Sequence, residues 1–222
     1  MSDPTPVLYL GNWNYSSWSL RPWLCLRWGN ISFEDQFISL AQEGYGTGEI
    51  EEVLAVSPTG RVPALHAGDT HIWDSLAIAE WAAEQAPALW PADPAHRAVA
   101  RSAVCEMHAG FPDLRDQLPM NINRRCKAHS LREGTHRDIR RVLSLWTSLR
   151  ERYGQQGPWL LGNRSIVDAF YAPVAARFRT YAIEFSGPAA DYTGALFADP
   201  DFRFWEDAPS QGSFDFIDEV FA

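Results

Sequence analysis

The sequence predicts an α/β plus all-α protein: a small domain of βαβαββα order over residues 1–86, a linker over 87–94 and an all-helical domain over 95–222. Three observations predict it. Short apolar runs closed by turn residues alternate with helical segments along the first part of the chain. Pro87, Pro91 and Pro94 then interrupt any regular element. Beyond them, apolar residues return every three or four positions, the period of helices with one buried face.

Val7–Leu10 is an apolar run stopped by Gly11 and Asn12, and reads as a buried strand. A helix is expected over residues 20–28, with Ser17 or Ser19 as its cap and Pro22 in its first turn. Residues 33–38 read as a second strand. Residues 41–48 carry Gly44, Gly46 and Gly48 and read as loop, before a short helix over 51–56. After the turn residues Ser57, Pro58, Thr59 and Gly60, strands over 62–66 and 70–73 flank a tight turn at Gly68. Asp74 and Ser75 then cap a helix over 76–85. Helices between strands imply parallel pairing, and the closing hairpin adds an antiparallel edge. This is the thioredoxin-type layout.

In the second domain Ala100, Val104, Met107, Phe111, Leu114 and Leu118 form one stripe and predict a single long helix. Ile139, Val142, Trp146, Leu149 and Tyr153 form another, and Ile166, Phe170, Val174, Phe178 and Tyr181 a third. Stripes of that length require a helical bundle.

Composition narrows the function classes. Hydrophobic residues make up 46% and charged residues 21% of 222, which allows a packed core and argues against disorder. Ten Trp imply thick cores and some aromatic surface lining a cleft or interface. The net charge of −9, with no basic cluster beyond pairs such as Arg124-Arg125 and Arg140-Arg141, argues against nucleic acid as a partner. Cys25, Cys105 and Cys126 are too scattered for a disulfide framework or a zinc ribbon. The first residues lack a basic region followed by an apolar one, so no signal peptide is expected. No apolar run approaches the ~20 residues that span a bilayer, so no membrane is expected either. The cytoplasm is the expected location.

Two short motifs carry chemistry. In Thr59-Gly60-Arg61-Val62-Pro63 the proline cannot donate to a sheet ladder and belongs at a strand start or edge. With a trans bond this is an ordinary strand start. With a cis bond, the Val62 backbone N–H and C=O turn outward and can pair with an extended peptide. In Trp73-Asp74-Ser75-Leu76, a serine at a helix N-cap satisfies backbone N–H groups, and the aspartate before it adds a carboxylate at the positive end of the helix dipole. Hydroxyl, helix N–H groups and carboxylate together can grip an α-amino acid zwitterion.

The run Ser57-Pro58-x-Gly60-x-Val62-Pro63-Ala64-Leu65, followed by Asp74-Ser75-x-x-Ile78 and Trp81, resembles the glutathione site of cytosolic glutathione transferases. The resemblance covers essentially the whole chain. It implies glutathione as co-substrate, with Val62 and Pro63 on the cysteinyl backbone and Asp74 and Ser75 on the γ-glutamyl end. It also implies a homodimer and no metal. Gly162-Asn163-Arg164-Ser165-Ile166-Val167-Asp168 resembles the N-capping box that nucleates the family's helical domain, departing from it at Asn163 and Arg164.

The segment Asn14-Tyr15-Ser16-Ser17-Trp18-Ser19-Leu20-Arg21 resembles the Ser-Ser-Cys-x-x-Arg segment of the zeta class, with Trp18 in place of the cysteine. That resemblance makes Ser16 the donor to the glutathione thiol and Ser17 its support, with Tyr15 a competitor as in other classes. Read from the residues alone, the same hydroxyls cap a helix. Lowering a thiol pKa from about 8.5 by ~2 units needs about 2.7 kcal/mol, which a hydroxyl donor and a helix N-terminus can supply. An electrophile is expected between the domains, against Trp13, Tyr15, His108 and Phe111, with Met107 in the core. Gln42, His66 or Arg61 reaches the glycyl carboxylate. Cys25, well inside the helix, is expected to be packed.

The resulting expectation is a glutathione transferase acting on a small hydrophobic electrophile, in the manner of a detoxifying enzyme. One alternative is a glutathione-dependent isomerase of maleylacetoacetate or maleylpyruvate type, using Arg21, Arg124 or Arg125 for substrate carboxylates. The other is a non-catalytic binding module on the same fold.

Overall fold

A computed structural model describes residues 4–209 and 212–221; residues 1–3, on which the leader expectation rests, lie outside them. Four strands form one mixed sheet in the order β2-β1-β3-β4. Strand β1 (Val7–Leu10) runs parallel to β2 (Glu34–Phe37) and antiparallel to β3 (Ala64–Ala67), which pairs with β4 (Thr70–Trp73). In β1, Leu8 and Leu10 are buried and Val7 and Tyr9 half-buried, the alternation that a strand with one more deeply covered face requires. Strand β3 begins two residues later than the pattern suggests, because Pro63 has no N–H for the ladder.

Helix α1 (Ser17–Trp28) crosses from β1 to β2. It starts three residues earlier than expected, since Ser16 is the cap: its Oγ accepts from the Ser19 backbone N–H at 3.3 Å. Pro22 therefore sits in the second turn rather than the first. Helix α2 (Glu51–Leu54) is a single turn. Helix α3 (Ser75–Gln85) is capped by Asp74, not by Ser75: Asp74 Oδ1 accepts from the Leu76 N–H at 2.7 Å. Asp74 holds φ of +76°, which aspartate tolerates better than most residues. The fold is thus a thioredoxin-like first domain of βαβαββα order followed by helices.

Helix α4 (Pro94–Ala109) opens with Pro94 at its first position and Asp93 as cap, so the last residue of the expected linker already belongs to a helix. The predicted single helix through Leu118 is broken. Gly110 and Phe111 leave helical geometry, Phe111 with φ of +61°, and α5 (Pro112–Gln117) restarts on its own proline. The apolar stripe continues in phase across this break and hides it. Helices α6 (Glu133–Tyr153) and α7 (Ile166–Thr180) carry the other two stripes as expected. Helices α8 (Pro188–Ala198), α9 (Pro200–Asp207) and α10 (Asp215–Asp218) complete the described chain.

Almost every residue of α7 is buried, which makes it the axis of the second domain. Its capping box is closed in both directions: the Ser165 backbone N–H and Oγ donate to Asp168 Oδ2, while Ser165 Oγ accepts from the Asp168 backbone N–H. Arg164, where the family pattern is apolar, pairs with the buried Asp199 at 2.7 Å and lies over the Trp28 ring. Helix α1 packs against α3 on one side and α7 on the other, and one continuous core runs through both domains. Trp13, Trp23 and Trp205 meet within it at ring separations of 4.3 to 5.8 Å.

A second, smaller core of Ile38, Ile50 and Val53 lies under Tyr9, Leu40 and Val62 and holds the residue 38–56 segment beneath the Val62–Pro63 turn. The turn needs Gly60, which has φ of +62° and whose backbone approaches Gly48 so closely that a Cβ would lie 1.8 Å from the Gly48 carbonyl oxygen.

Candidate functional site

A cavity of about 770 Å³ opens where the start of α1, the Val62–Pro63 turn and the start of α3 face α5 and α10. It brings together Tyr15, Ser16 and Ser17 from the first loop with Arg61, Val62 and Pro63 from the turn, and Asp74 and Ser75 from the cap of α3. The Val62–Pro63 peptide bond is cis. The resemblance of the two motifs to a glutathione site, rather than either motif alone, led to the expectation that these residues lie together.

Several expected residues lie elsewhere. Trp13 is buried in the tryptophan cluster, and its carbonyl accepts from Trp205 Nε1 at 2.8 Å. Phe111 is buried at the α4–α5 break. Gln42 is on the surface and donates to the Ser39 carbonyl at 2.6 Å. His66 bonds the Val56 carbonyl at 2.8 Å and stacks on His71 across the hairpin. His108 is not a wall of the cavity but a partner of Asp74, with Nε2 3.3 Å from Oδ2. Burial lowers its pKa, and the adjacent Asp74 carboxylate raises it only in part. Arg124 and Arg125 are occupied at the Ile217 carbonyl and at Glu206.

The apolar wall comes instead from positions that the sequence reading missed. Tyr45, from the glycine loop, packs its ring on Phe214 and Phe216 at 4.9 and 5.8 Å, and these line the cavity with Ile217, Val220 and Met120. Only the excess of aromatic residues hinted at them.

The three candidate hydroxyls differ in where their protons go. Tyr15 donates to both oxygens of Asp218 at 2.9 Å, and burial together with that carboxylate raises its pKa. Ser16 donates to Ser19 Oγ at 2.8 Å, and Ser19 Oγ also accepts from the Gly11 N–H. Ser17 Oγ accepts from Arg177 Nη2 at 3.2 Å.

Two further side chains stand out, one at the start of α3 and one in α1. Ser75 Oγ is buried without a hydrogen-bond partner among the described residues. Arg21 is fully buried, its guanidinium 4.2 Å from the Trp18 ring, and none of its three nitrogens has a hydrogen-bond partner among the described residues. Burial, then repulsion from Arg115 and Arg177, pushes its pKa down, while Asp74 draws it back. Cys25 is buried and packed, and burial raises its thiol pKa. Among the described residues no three His, Cys, Asp or Glu side chains converge as a metal site would require. No described helix is long and apolar enough to cross a membrane.

Residues 15–85 match the family model for the glutathione S-transferase N-terminal domain. No curated protein sequence matches the chain. Among solved structures, the chain is similar to a glutathione transferase homolog from Burkholderia BGR1 with bound glutathione, at 21% identity over 91% of this chain and 96% of that one, TM-score 0.68. It is similar to a theta class glutathione S-transferase from Xanthomonas axonopodis pv. citri with glutathione bound, at 21% identity over 94% and 100%, TM-score 0.66. A maleylacetoacetate isomerase from Anaeromyxobacter dehalogenans also matches, at 22% identity over 96% of each chain, TM-score 0.66.

Proposed function

We propose that this chain, which has the fold of the cytosolic glutathione transferase superfamily, binds glutathione in the cavity and presents its thiolate to a small electrophile. One observation carries the reading: Val62 and Pro63, Asp74 and Ser75, and the first-loop serines line a single cavity, with the Ser75 hydroxyl buried and unpartnered. A buried hydroxyl without a partner costs about 1–3 kcal/mol, and a carboxylate at the start of α3 removes that cost. The γ-glutamyl end of glutathione supplies such a carboxylate, and its ammonium faces Asp74. Val62 and Pro63 hold the cysteinyl backbone, Arg61 faces the glycyl carboxylate, and Ser16 and Ser17 flank the sulfur. The electrophile lies against Tyr45, Phe214 and Phe216, with Tyr15 behind Phe214. No step needs a metal. The working unit is a cytoplasmic homodimer by analogy with the family.

A second reading, cis–trans isomerisation of a maleyl-type dienoic acid, is favoured by one feature. Arg21, Arg115 and Arg177 cluster beside the cavity, and none forms an ion pair with a carboxylate among the described residues. The similarity to a maleylacetoacetate isomerase points the same way. Purified protein given glutathione and a panel of aromatic halides, epoxides, enones and maleyl acids separates the readings. Conjugates identified by mass support the transferase. Product of unchanged mass from the maleyl acid supports the isomerase. Glutathione binding without turnover of any compound leaves the non-catalytic module.

A further inference from the structure

Within the glutathione reading, the hydroxyl that serves the sulfur is the one whose own proton is unclaimed. Tyr15 and Ser16 give theirs to Asp218 and Ser19. Ser17 differs. Its oxygen is occupied by the Arg177 N–H, and no acceptor among the described residues takes its proton. Two donors repel, so the Ser17 O–H turns away from Arg177. Both residues line the cavity.

Arg177 is itself held rigidly. Its Nε donates to the Leu118 carbonyl at 2.8 Å and its Nη1 to the Pro173 carbonyl at 3.3 Å, inside the buried α7. Arg115 is held in the same manner, at the carbonyl end of α4, through Gly110 and His108. The charged groups facing the cavity are Arg61, Asp74, Arg115, Asp116 and Arg177, with Tyr15 beside them and Arg21 behind Trp18. Positive charge therefore exceeds negative on this wall. Burial, then repulsion from Arg115, lowers Arg177 to about 9, and Arg115 is lowered mainly by burial. Arg115 and Arg177 repel each other, and an anion brought between them relieves that repulsion.

We propose that Arg177 is the positioning residue for thiol activation: it orients Ser17 so that the hydroxyl donates to the glutathione sulfur, and with Arg21 and Arg115 it favours the thiolate. On activation the S–H proton passes to water. Ser17 keeps its own proton and donates it as a hydrogen bond to S⁻, and no bond to the protein forms. The assignment rests on the glutathione reading and reaches past it to a residue 160 positions from the serine it orients.

The test is the ultraviolet thiolate band of bound glutathione followed against pH, with calorimetry on the same samples. Wild type titrates about two units below the free thiol value of about 8.5. Ser17→Ala and Arg177→Gln each raise the bound value by about one unit, a roughly tenfold loss of thiolate at neutral pH, with glutathione affinity changed less than about threefold. Ser17→Thr, which keeps the hydroxyl, restores the low value. The Ser17→Ala/Arg177→Gln double variant shifts no further than the larger single one, because both remove the same hydrogen bond. Should Arg177→Gln not fold, Arg177→Lys and the two Ser17 variants carry the test. An unshifted titration in Ser17→Ala, or a normal titration in a folded Arg177 variant, overturns the assignment. Absence of glutathione binding to wild type overturns the glutathione reading instead, so the two failures are told apart.

Discussion

Removing the Ser75 hydroxyl should act in opposite directions on the free and the glutathione-bound protein. Ser75 is 1% exposed, sits at the first position of α3 and has no hydrogen-bond partner for Oγ among the described residues. An unsatisfied buried hydroxyl costs about 1–3 kcal/mol, and alanine fills nearly the same volume with better helix propensity. Ser75→Ala should therefore stabilise the ligand-free protein by about 1 kcal/mol, a rise in Tm of roughly 2–4 °C for a chain of this size. With glutathione bound, the hydroxyl meets a carboxylate, and that charge-assisted bond is worth about 1.5–3 kcal/mol. Affinity should then fall roughly ten- to a hundredfold. Scanning calorimetry without ligand and titration calorimetry with glutathione read the two effects separately. A lower Tm with unchanged affinity would mean that the hydroxyl is structural, and would refute the reasoning.

Two further perturbations follow from the same geometry. Gly60→Ala forces a Cβ to within 1.8 Å of the Gly48 carbonyl at φ of +62°. It should cost about 2 kcal/mol or more in stability and weaken glutathione binding through the adjoining Val62–Pro63 turn, both read by melting with and without ligand. Asp168→Asn tests the capping box. Burial raises the Asp168 carboxyl to about 7, against roughly 3.9 in an unfolded chain. Its contribution to stability is thus full below about pH 4 and is lost as pH rises through 7. The asparagine variant should lose about 1–2 kcal/mol of capping at acid pH yet lack that fall, so denaturant unfolding across pH should give converging profiles. Parallel profiles would contradict it.

Much of the fold could be read in the chain because its signals are local. Strand β1 is an apolar run bounded by Gly11 and Asn12, and its limits match the structure. The cap of α3 and the Ser165–Asp168 box likewise lie within four residues of what they bind. The start of α1 was less legible, because Ser16, Ser17 and Ser19 are all capping residues and only the backbone angles decide between them. The α4–α5 break carried its own signal in Gly110 and Pro112, but an apolar stripe in phase on both sides outweighed it. The half of the cavity lined by Val62, Pro63, Asp74 and Ser75 was legible because those residues form two short local motifs that resemble a known site. The other half was not. The wall of Phe214, Phe216 and Ile217, the Asp218 that takes the Tyr15 proton, and the Arg177 that holds Ser17 all lie 160 or more residues from the first loop. No periodicity or spacing encodes such contacts. Trp13, His108 and Phe111 were misplaced for the converse reason: their aromatic character fits a pocket wall, but packing against Trp205, Asp74 and the core accounts for it.

Titration calorimetry of the wild-type protein with glutathione tests the central claim most directly. The account predicts saturable binding, one tripeptide per chain, at submillimolar to millimolar glutathione, and its loss when Asp74 is replaced by alanine. No heat of binding at millimolar glutathione, or binding that the Asp74 replacement leaves unchanged, would contradict it.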